Sequence, residues 1–165
     1  MQVQGLLDDR GLELGREVQS EEDLRAIVLR EGLGARVTFT GRLDDVSEAL
    51  RAADVFAFPS VFEALGISLI EAAATGLPAV GARTGGIVDV IENGASGWLV
   101  DPGDVTALSA RLRALLLDDA ARARLGARGR AIAEARFDEG RALVRYRALL
   151  GEVTGRGASA QLAFR

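Results

Sequence analysis

The chain has 165 residues and a net charge of −4, so its length suits one domain with a sizeable core and its charge offers no basic surface for nucleic acid or an anionic membrane. It contains no Cys and no His, and all 20 of its basic residues are Arg. Thiolate and imidazole catalysis, a histidine zinc site, a Schiff-base lysine and a P-loop lysine are therefore excluded. Chemistry has to rest on Asp, Glu, Arg, Ser, Thr, Tyr and main-chain amides.

The first third of the chain predicts a helix, a strand and a second helix. Residues 1–19 contain three glycines and only weak periodicity, so we assign them no element. Ser20 is expected to cap a helix whose apolar residues recur at helical spacing up to the glycines at 32 and 34. The β-branched run RVTFTG (36–41) predicts a strand, and DDVSEALRAA (44–53) predicts a helix.

The remainder alternates short apolar runs with helical segments. Strands are predicted in DVFAFPS (54–60), PAVGA (78–82) and SGWLV (96–100), and helices at 65–74, within 84–94, from about 104, within 120–137 and within 138–153. The predicted strands lack in-out alternation, which is typical of a parallel sheet covered on both faces. The fold class is therefore α/β, a Rossmann-like three-layer α/β/α arrangement with a parallel sheet. In such sheets ligands lie beyond the carboxyl ends of the strands.

The stretch FEALGISLIEAAATGLPAV (62–80) is almost wholly apolar or small, yet it carries Glu63 and Glu71. The predicted helix is apolar nearly all round and should be buried, with one polar stripe of Ser68, Glu71 and Thr75. Water, an arginine or the hydroxyls of a ligand would satisfy that stripe. Eight helical residues rise roughly 12 Å, more than the roughly 5 to 9.5 Å that separates a pair of glycosidase carboxylates. Two contacts along one elongated ligand fit the spacing better.

An ordered series of motifs accompanies this glutamate pair: RVTFTG, ADVFAFPS, the E-x7-E pair, TGLPAV, a Gly-Gly pair and NGASGWLV. Over about residues 35–150 the series resembles the carboxyl-terminal donor-binding domain of retaining glycosyltransferases of the GT-B fold. That group contains glycogen synthases and many bacterial mannosyl- and glucosyltransferases. We expect one such domain, truncated, at 20–150, after the unassigned residues 1–19 and before a mobile tail at 151–165.

The resemblance implies that the donor is a nucleotide diphosphate sugar, bound as a substrate with no cofactor and no metal. Glu71 would bind the ribose hydroxyls, and Glu63 would lie near the donor sugar and support oxocarbenium-like charge. The main-chain amides of residues 64–67 would face the diphosphate or the sugar, because a helix start favours anions. These four residues are Ala64, Leu65, Gly66 and Ile67.

Five further residues are candidates for contact with the donor, and most of them also have a structural explanation. Ser60 either touches the nucleotide or caps a turn. Gly85 and Gly86 either approach the donor or form a tight strand-to-helix loop. Gly41 and Arg42 fall where the family places the nucleotide base, and Arg42 either stacks on the base or lies on the surface.

The chain departs from the family in what surrounds this domain. An acceptor domain, a glycine-rich opening loop and the Arg and Lys that neutralise the leaving diphosphate are not recognisable in it. We therefore expect little transfer by this chain alone, since leaving-group stabilisation is usually a large part of catalysis. The acceptor domain is the expected partner in cis, and an edge strand exposed by truncation would favour self-association.

Three alternatives remain open at this stage: a non-catalytic module for nucleotide-sugar binding or interaction, a nucleotide-sugar epimerase-like domain, and a doubly wound domain that binds a protein partner and no ligand. An epimerase needs its acid and base close to one sugar carbon, which the spacing of the glutamates disfavours. The sequence has no run of 18 or more apolar residues, so we expect no transmembrane helix. The amino terminus carries acidic residues where a signal peptide would be apolar. A cytoplasmic protein is expected.

Overall fold

A computed structural model describes residues 20–154 and two short strands before them, Leu6–Leu7 and Glu13–Leu14. The chain divides into two compact units, residues 1–44 and residues 45–165. The predicted donor-binding segment, 20–150, includes parts of both units. The tail from 155 to 165 lies outside the described residues.

The described residues of the first unit form one strand pair and one helix. Strands β1 (Leu6–Leu7) and β2 (Glu13–Leu14) pair antiparallel, with Leu6 opposite Leu14. Helix α1 (Glu21–Arg30) begins where the sequence predicts, because the Ser20 hydroxyl accepts the amide of Asp23 at 3.2 Å.

The strand predicted at 36–41 is wrong. These residues form turns and irregular chain, starting with the amides of Arg36 and Val37, which donate to Leu33 O. Most of the segment is exposed. β-Branched residues favour a strand only where a neighbouring strand and a packed face complete it, and the described residues provide no such ladder here.

The second unit alternates helices and strands as the sequence predicts. Its elements are α2 (Ser47–Ala52), β3 (Phe56–Phe58), α3 (Ile67–Ala74), β4 (Ala79–Ala82), α4 (Ile87–Val90), β5 (Gly97–Val100), α5 (Val105–Leu116), α6 (Asp119–Arg136) and α7 (Glu139–Thr154). Asp104 and Asp118 cap α5 and α6 through the amides of Ala107 and Ala121.

The sheet of this unit is parallel, in the order β3-β4-β5. Its described part therefore has three strands, whereas four were predicted for the domain, the fourth being the strand at 36–41. Phe56 lies opposite Ala79, and Val80 lies opposite Trp98. Every residue of β4 is buried, as the unbroken apolar run indicates, because β4 is the central strand. Parallel pairing brings the carboxyl ends of all three strands to one edge of the sheet.

Helices cover both faces of this sheet, so the predicted three-layer α/β/α fold is confirmed. On one face Ala79 packs in a cluster that includes Leu69 of α3, Ile87 of α4 and Ala133 of α6. On the other face Val80 packs with Leu115 of α5 and with the start of α6. Successive side chains of a strand point to opposite faces, so two adjacent residues of β4 anchor both cores.

Candidate functional site

The candidate site lies where β3 and β4 end and their following helices begin. Residues 59–66 lead from β3 to α3, and residues 83–86 lead from β4 to α4. Predicted site residues Ser60, Glu63, Gly66, Gly85 and Gly86 all fall on these two loops. The parallel sheet places both loops at the same edge, as the sequence analysis expected.

Glu63 binds the main chain at the start of α3. Its Oε1 atom accepts the amide of Gly66 at 3.0 Å and the amide of Leu65 at 3.3 Å. Gly66 is the N-cap residue of α3 and has φ +75, a left-handed conformation in which a side chain would be strained. The half-buried carboxylate of Glu63 therefore stabilises the turn that starts the helix, a role that the sequence analysis did not foresee.

This arrangement changes which amides a ligand would meet. Two of the four amides predicted to face a donor, those of Leu65 and Gly66, already bind Glu63. The amides of Ala64 and Ile67 donate to no acceptor within residues 20–154. These two remain available at the positive end of the α3 dipole.

Gly85 and Gly86 hold the two loops together by close main-chain contact. The amide of Gly86 donates to Glu63 O at 3.2 Å. A Cβ atom at Gly85 would lie 1.6 Å from Glu63 O, and a Cβ atom at Gly86 would lie 2.5 Å from Ala64 O. The structural alternative of the sequence analysis, a tight loop, thus has direct support, while contact of the two glycines with a donor stays a prediction.

Thr84 is a contact that sequence reasoning missed. Its Oγ1 atom donates to Val61 O at 3.3 Å and adds a second link between the two loops. The partners are 23 residues apart, and a lone threonine after a strand gives no signal of such a bond.

Glu71 is exposed, and helix α3 is buried on one face only. Leu69, Ala72 and Ala73 are buried, whereas Ile67 is 66% exposed. The prediction that α3 is buried all round is therefore wrong, because the sheet and α6 cover only one side of it. No arginine among the described residues forms an ion pair with Glu71 or Glu63, so neither carboxylate is neutralised there by a cation of the chain.

The separation estimated for the two glutamates does not hold. Glu63 precedes α3 by four residues and lies in a non-helical loop that turns back on the helix start. The rise of roughly 12 Å applies only to a continuous helix. The eight-residue spacing therefore does not fix the distance between the two carboxylates.

Exposed apolar side chains flank Glu63 along the chain. The large side chains Val61, Phe62, Leu65 and Ile67 are 45–85% exposed. The sequence analysis expected this stretch to be built for burial, yet no described residue covers these side chains. An exposed apolar cluster of this kind is typical of a ligand-binding groove or an interface.

Arg83 is a cation at this edge that the sequence analysis did not single out. It follows β4 directly, and its Nε atom lies 3.7 Å from Asp101 Oδ1, which follows β5. Both side chains are at least half exposed, so the pair is weak and Arg83 stays accessible to an anion.

The remaining predicted residues have no contact that assigns a role. Ser60 is half-buried at the end of β3. Gly41 and Arg42 are exposed and belong to the first unit, and their contact with a nucleotide base stays a prediction. Residues 20–154 contain no group of three or more acidic side chains arranged to hold a metal ion. No described helix has both the length and the apolar character needed to cross a membrane.

A cavity of about 320 Å³ lies elsewhere, between the end of α6 and α7. Its lining includes Arg136, Arg141 and Tyr146 and none of the predicted site residues.

Known proteins share the sequence and the fold of this chain. Residues 11–132 match the family model of glycosyl transferases group 1. The sulfoquinovosyl transferase SQD2 of Arabidopsis thaliana is 44% identical over 98 residues, which cover 56% of this chain and 19% of that protein.

Two solved structures are similar as well. Sucrose-phosphate synthase from Thermosynechococcus elongatus aligns with a TM-score of 0.77 and 31% identity over 81% of this chain and 34% of its own. Anabaena HepE in complex with UDP-glucose aligns with a TM-score of 0.72 and 30% identity over 81% of this chain and 36% of its own. The chain thus spans 19–36% of the length of these proteins. A family match that covers most of the chain and a shared fold lead to one conclusion: the chain belongs to the group 1 glycosyl transferases.

Proposed function

We propose that this chain binds the donor of a retaining glycosyltransferase, which moves a sugar from a nucleotide diphosphate sugar to an acceptor. The observation that carries the proposal is the pair of linked loops at the carboxyl ends of β3 and β4. These loops carry the fixed carboxylate of Glu63 and the unpartnered amide of Ala64. Helix α3, which follows the first loop, adds the unpartnered amide of Ile67 and the exposed carboxylate of Glu71. An activated sugar has a group that suits each of them.

The exposed Glu71 is suited to the ribose of the nucleotide. A carboxylate accepts hydrogen bonds from two adjacent hydroxyls, and Glu71 makes no ion pair in the described chain that a ligand would have to break. The unpartnered amides of Ala64 and Ile67 at the start of α3 are suited to the diphosphate. Arg83 adds positive charge at the same edge of the sheet.

Glu63 is suited to the donor sugar. Its Oε1 atom is occupied by the amides of Leu65 and Gly66, so the carboxylate has a fixed orientation, and Oε2 makes no hydrogen bond within the described chain. A held carboxylate can accept a sugar hydroxyl and stabilise positive charge that develops at the anomeric carbon. Retention of the anomeric configuration is part of the proposal and rests on the E-x7-E resemblance.

The similar chain of HepE supports a nucleotide-sugar ligand, since that protein has been solved with UDP-glucose. Because this chain spans only part of its relatives, the acceptor, the complete reaction and a cytoplasmic location are also proposals. The acceptor would be held by a further domain of the longer protein. The donor is the substrate, and the proposal involves no cofactor and no metal.

Isothermal titration calorimetry with UDP, GDP and ADP, and then with the glucose conjugate of the tightest binder, tests the proposal. We expect saturable binding of at least one diphosphate and a measurable change in affinity when the sugar is attached. Absence of binding by all three nucleotides at millimolar concentration would overturn it. Binding without transfer in a protein that includes an acceptor domain would favour a non-catalytic module, and epimerised donor among the products would favour an epimerase.

A further inference from the structure

Helix α4 connects the candidate site to a charged cluster on its far side. Its first turn follows Gly86, whose amide donates to Glu63 O at 3.2 Å. Its last turn runs into Glu92, two residues after the helix ends. A shift at the Glu92 end of this four-residue helix therefore has a short path to the Glu63 loop.

Two arginines of α6 hold Glu92. Arg128 donates to Glu92 Oε2 through Nε at 2.9 Å and Nη2 at 2.6 Å. Arg136 donates to Glu92 Oε1 at 2.7 Å through Nη2 and to Asp89 O at 3.2 Å through Nη1. The arginines are eight residues apart on α6 and so lie on similar faces two turns apart. Both oxygens of one carboxylate and one carbonyl of α4 are thus fixed to α6.

Close packing makes α4 a rigid link. Ile87 and Ile91 are 0% and 3% exposed, and they pack on β4 where Gly81 leaves room for them. A Cβ atom at Gly81 would lie 2.8 Å from Ile87 Cγ2 and 3.0 Å from Ile91 Cδ1. Val88 and Asp89 face solvent, but the buried face of the helix is closely packed, so we expect a shift of Glu92 to be passed on to Gly86.

We propose that Glu92, held by Arg128 and Arg136, is a positioning residue that sets the contact of the Gly85–Gly86 loop with the Glu63 loop and thereby the affinity for the donor. The inference rests on the proposed function. Glu92 does not touch the ligand itself; it acts on the Gly85–Gly86 loop through α4. Its three charge-assisted hydrogen bonds are the kind that hold a segment in one geometry.

Glu92→Gln removes the charge with little change of shape, Arg128→Gln removes the guanidinium and its charge, and Arg128→Lys keeps the charge. Arg130→Gln is the matched control, since it breaks a comparable ion pair of 2.8 Å with Glu134 that lies wholly within α6. Each variant is measured for affinity to the diphosphate that the wild type binds, for melting temperature, and for amide hydrogen exchange at residues 86–91 and in α5.

We expect Glu92→Gln and Arg128→Gln to bind about 3- to 10-fold more weakly and to exchange faster at 86–91 but not in α5. Arg128→Lys should recover most of the affinity, and Arg130→Gln should match the wild type. Unchanged affinity in Glu92→Gln, or an equal loss in Arg130→Gln, would overturn the inference. If the wild type binds no nucleotide, the proposed function fails, and exchange at 86–91 still decides whether the cluster holds the loop.

Discussion

At the scale of single residues, Glu63 has a structural contact and a proposed chemical role that can be separated. Its carboxylate accepts the amides of Leu65 and Gly66 and so stabilises the start of α3. A glutamine in its place keeps one acceptor oxygen and loses the charge. An alanine loses both.

We predict that Glu63→Ala lowers the free energy of unfolding by about 1 kcal/mol, the usual net cost of a lost hydrogen bond, and that Glu63→Gln changes it little. Both variants should lose the effect of the sugar on affinity while binding of the free diphosphate changes less. Urea unfolding and calorimetry with the diphosphate and its sugar conjugate provide the measurements. If Glu63→Gln distinguished sugar conjugate from diphosphate as well as the wild type does, Glu63 would have no role at the sugar.

Within the described residues the side chain of Glu71 makes no ion pair and no hydrogen bond, so its substitution is expected to test ligand binding alone. We predict that Glu71→Ala weakens nucleotide binding by about 10- to 100-fold, or about 1–3 kcal/mol, because a charged acceptor for the ribose is lost. Its melting temperature should stay near that of the wild type, since the side chain is exposed.

The matched control for this experiment is Glu152→Ala, which removes an exposed glutamate of the same charge from α7. Calorimetric affinity should separate the two variants. Equal affinities for both would rule out the ribose contact of Glu71.

At the scale of elements, the contact of α6 with the end of α3 depends on a glycine. A Cβ atom at Gly126 would lie 1.9 Å from Gly76 O, so any side chain there would push α6 away. At Gly129, one turn later, a Cβ atom would lie 3.7 Å from Ser96 O and 3.8 Å from Ala73 Cβ, which are ordinary contact distances. The two glycines are three residues apart in one helix and meet very different neighbours.

We predict opposite effects of alanine at these two positions. Gly129→Ala should raise the free energy of unfolding by about 0.5–1 kcal/mol, because alanine favours a helix over glycine. Gly126→Ala should lower it by about 1–3 kcal/mol, because overpacking costs more than the helix gains. Urea unfolding of both variants compares them directly. Equal stability of the two would show that α6 can move away from Gly76 at little cost.

Contacts between elements explain why two predictions were wrong, the strand at 36–41 and the burial of α3 on all sides. A β-branched run predicts strand propensity, but a strand forms only with a partner at its edge. An apolar helix predicts burial, but α3 has neighbours on one face and an open edge of the sheet on the other. In both cases the local pattern is not sufficient, because the neighbouring elements decide whether a strand pairs and whether a helix is buried.

At the scale of the whole molecule, acid should destabilise the fold through carboxylates that are hydrogen-bonded in it. The Arg128 hydrogen bonds lower the pKa of Glu92, with further help from the charges of Arg128 and Arg136. The hydrogen bonds of Ser47 lower the pKa of Asp45 in the same way. Each carboxylate binds a proton more readily in the unfolded chain than in the folded one. Its contribution to the free energy of unfolding is therefore present above its unfolded pKa and is lost as the pH falls through its folded pKa.

We predict that the free energy of unfolding decreases as pH falls below about 4.3, the ordinary pKa of a glutamate. Glu92→Gln should show a shallower decrease than the wild type over the same range, because it removes one of the linked protons. Urea unfolding between pH 3 and pH 7 gives both curves. Parallel curves would mean that Glu92 is not linked to folding.

Much of the candidate site follows from the sequence, and the part that does not depends on contacts between distant segments. The alternation of elements, the capping by Ser20 and the position of Glu63 on a loop at a strand end were all predicted. The Thr84–Val61 bond spans 23 residues and the Arg128–Glu92 pair spans 36, and no local pattern marks either partner. The exposure of Glu71 was also missed, because burial depends on what packs against a helix.

The sequence by itself determined the order of strands and helices within residues 45–154 and hence the edge of the sheet at which a ligand would bind, because periodicity and caps act over a few residues. Only the tertiary structure decided that Glu63 turns onto the start of α3, that Gly85 and Gly86 touch its main chain, and that α6 holds α4 through Glu92. Those contacts join segments that fold separately along the chain, and their distances are set by how the layers pack.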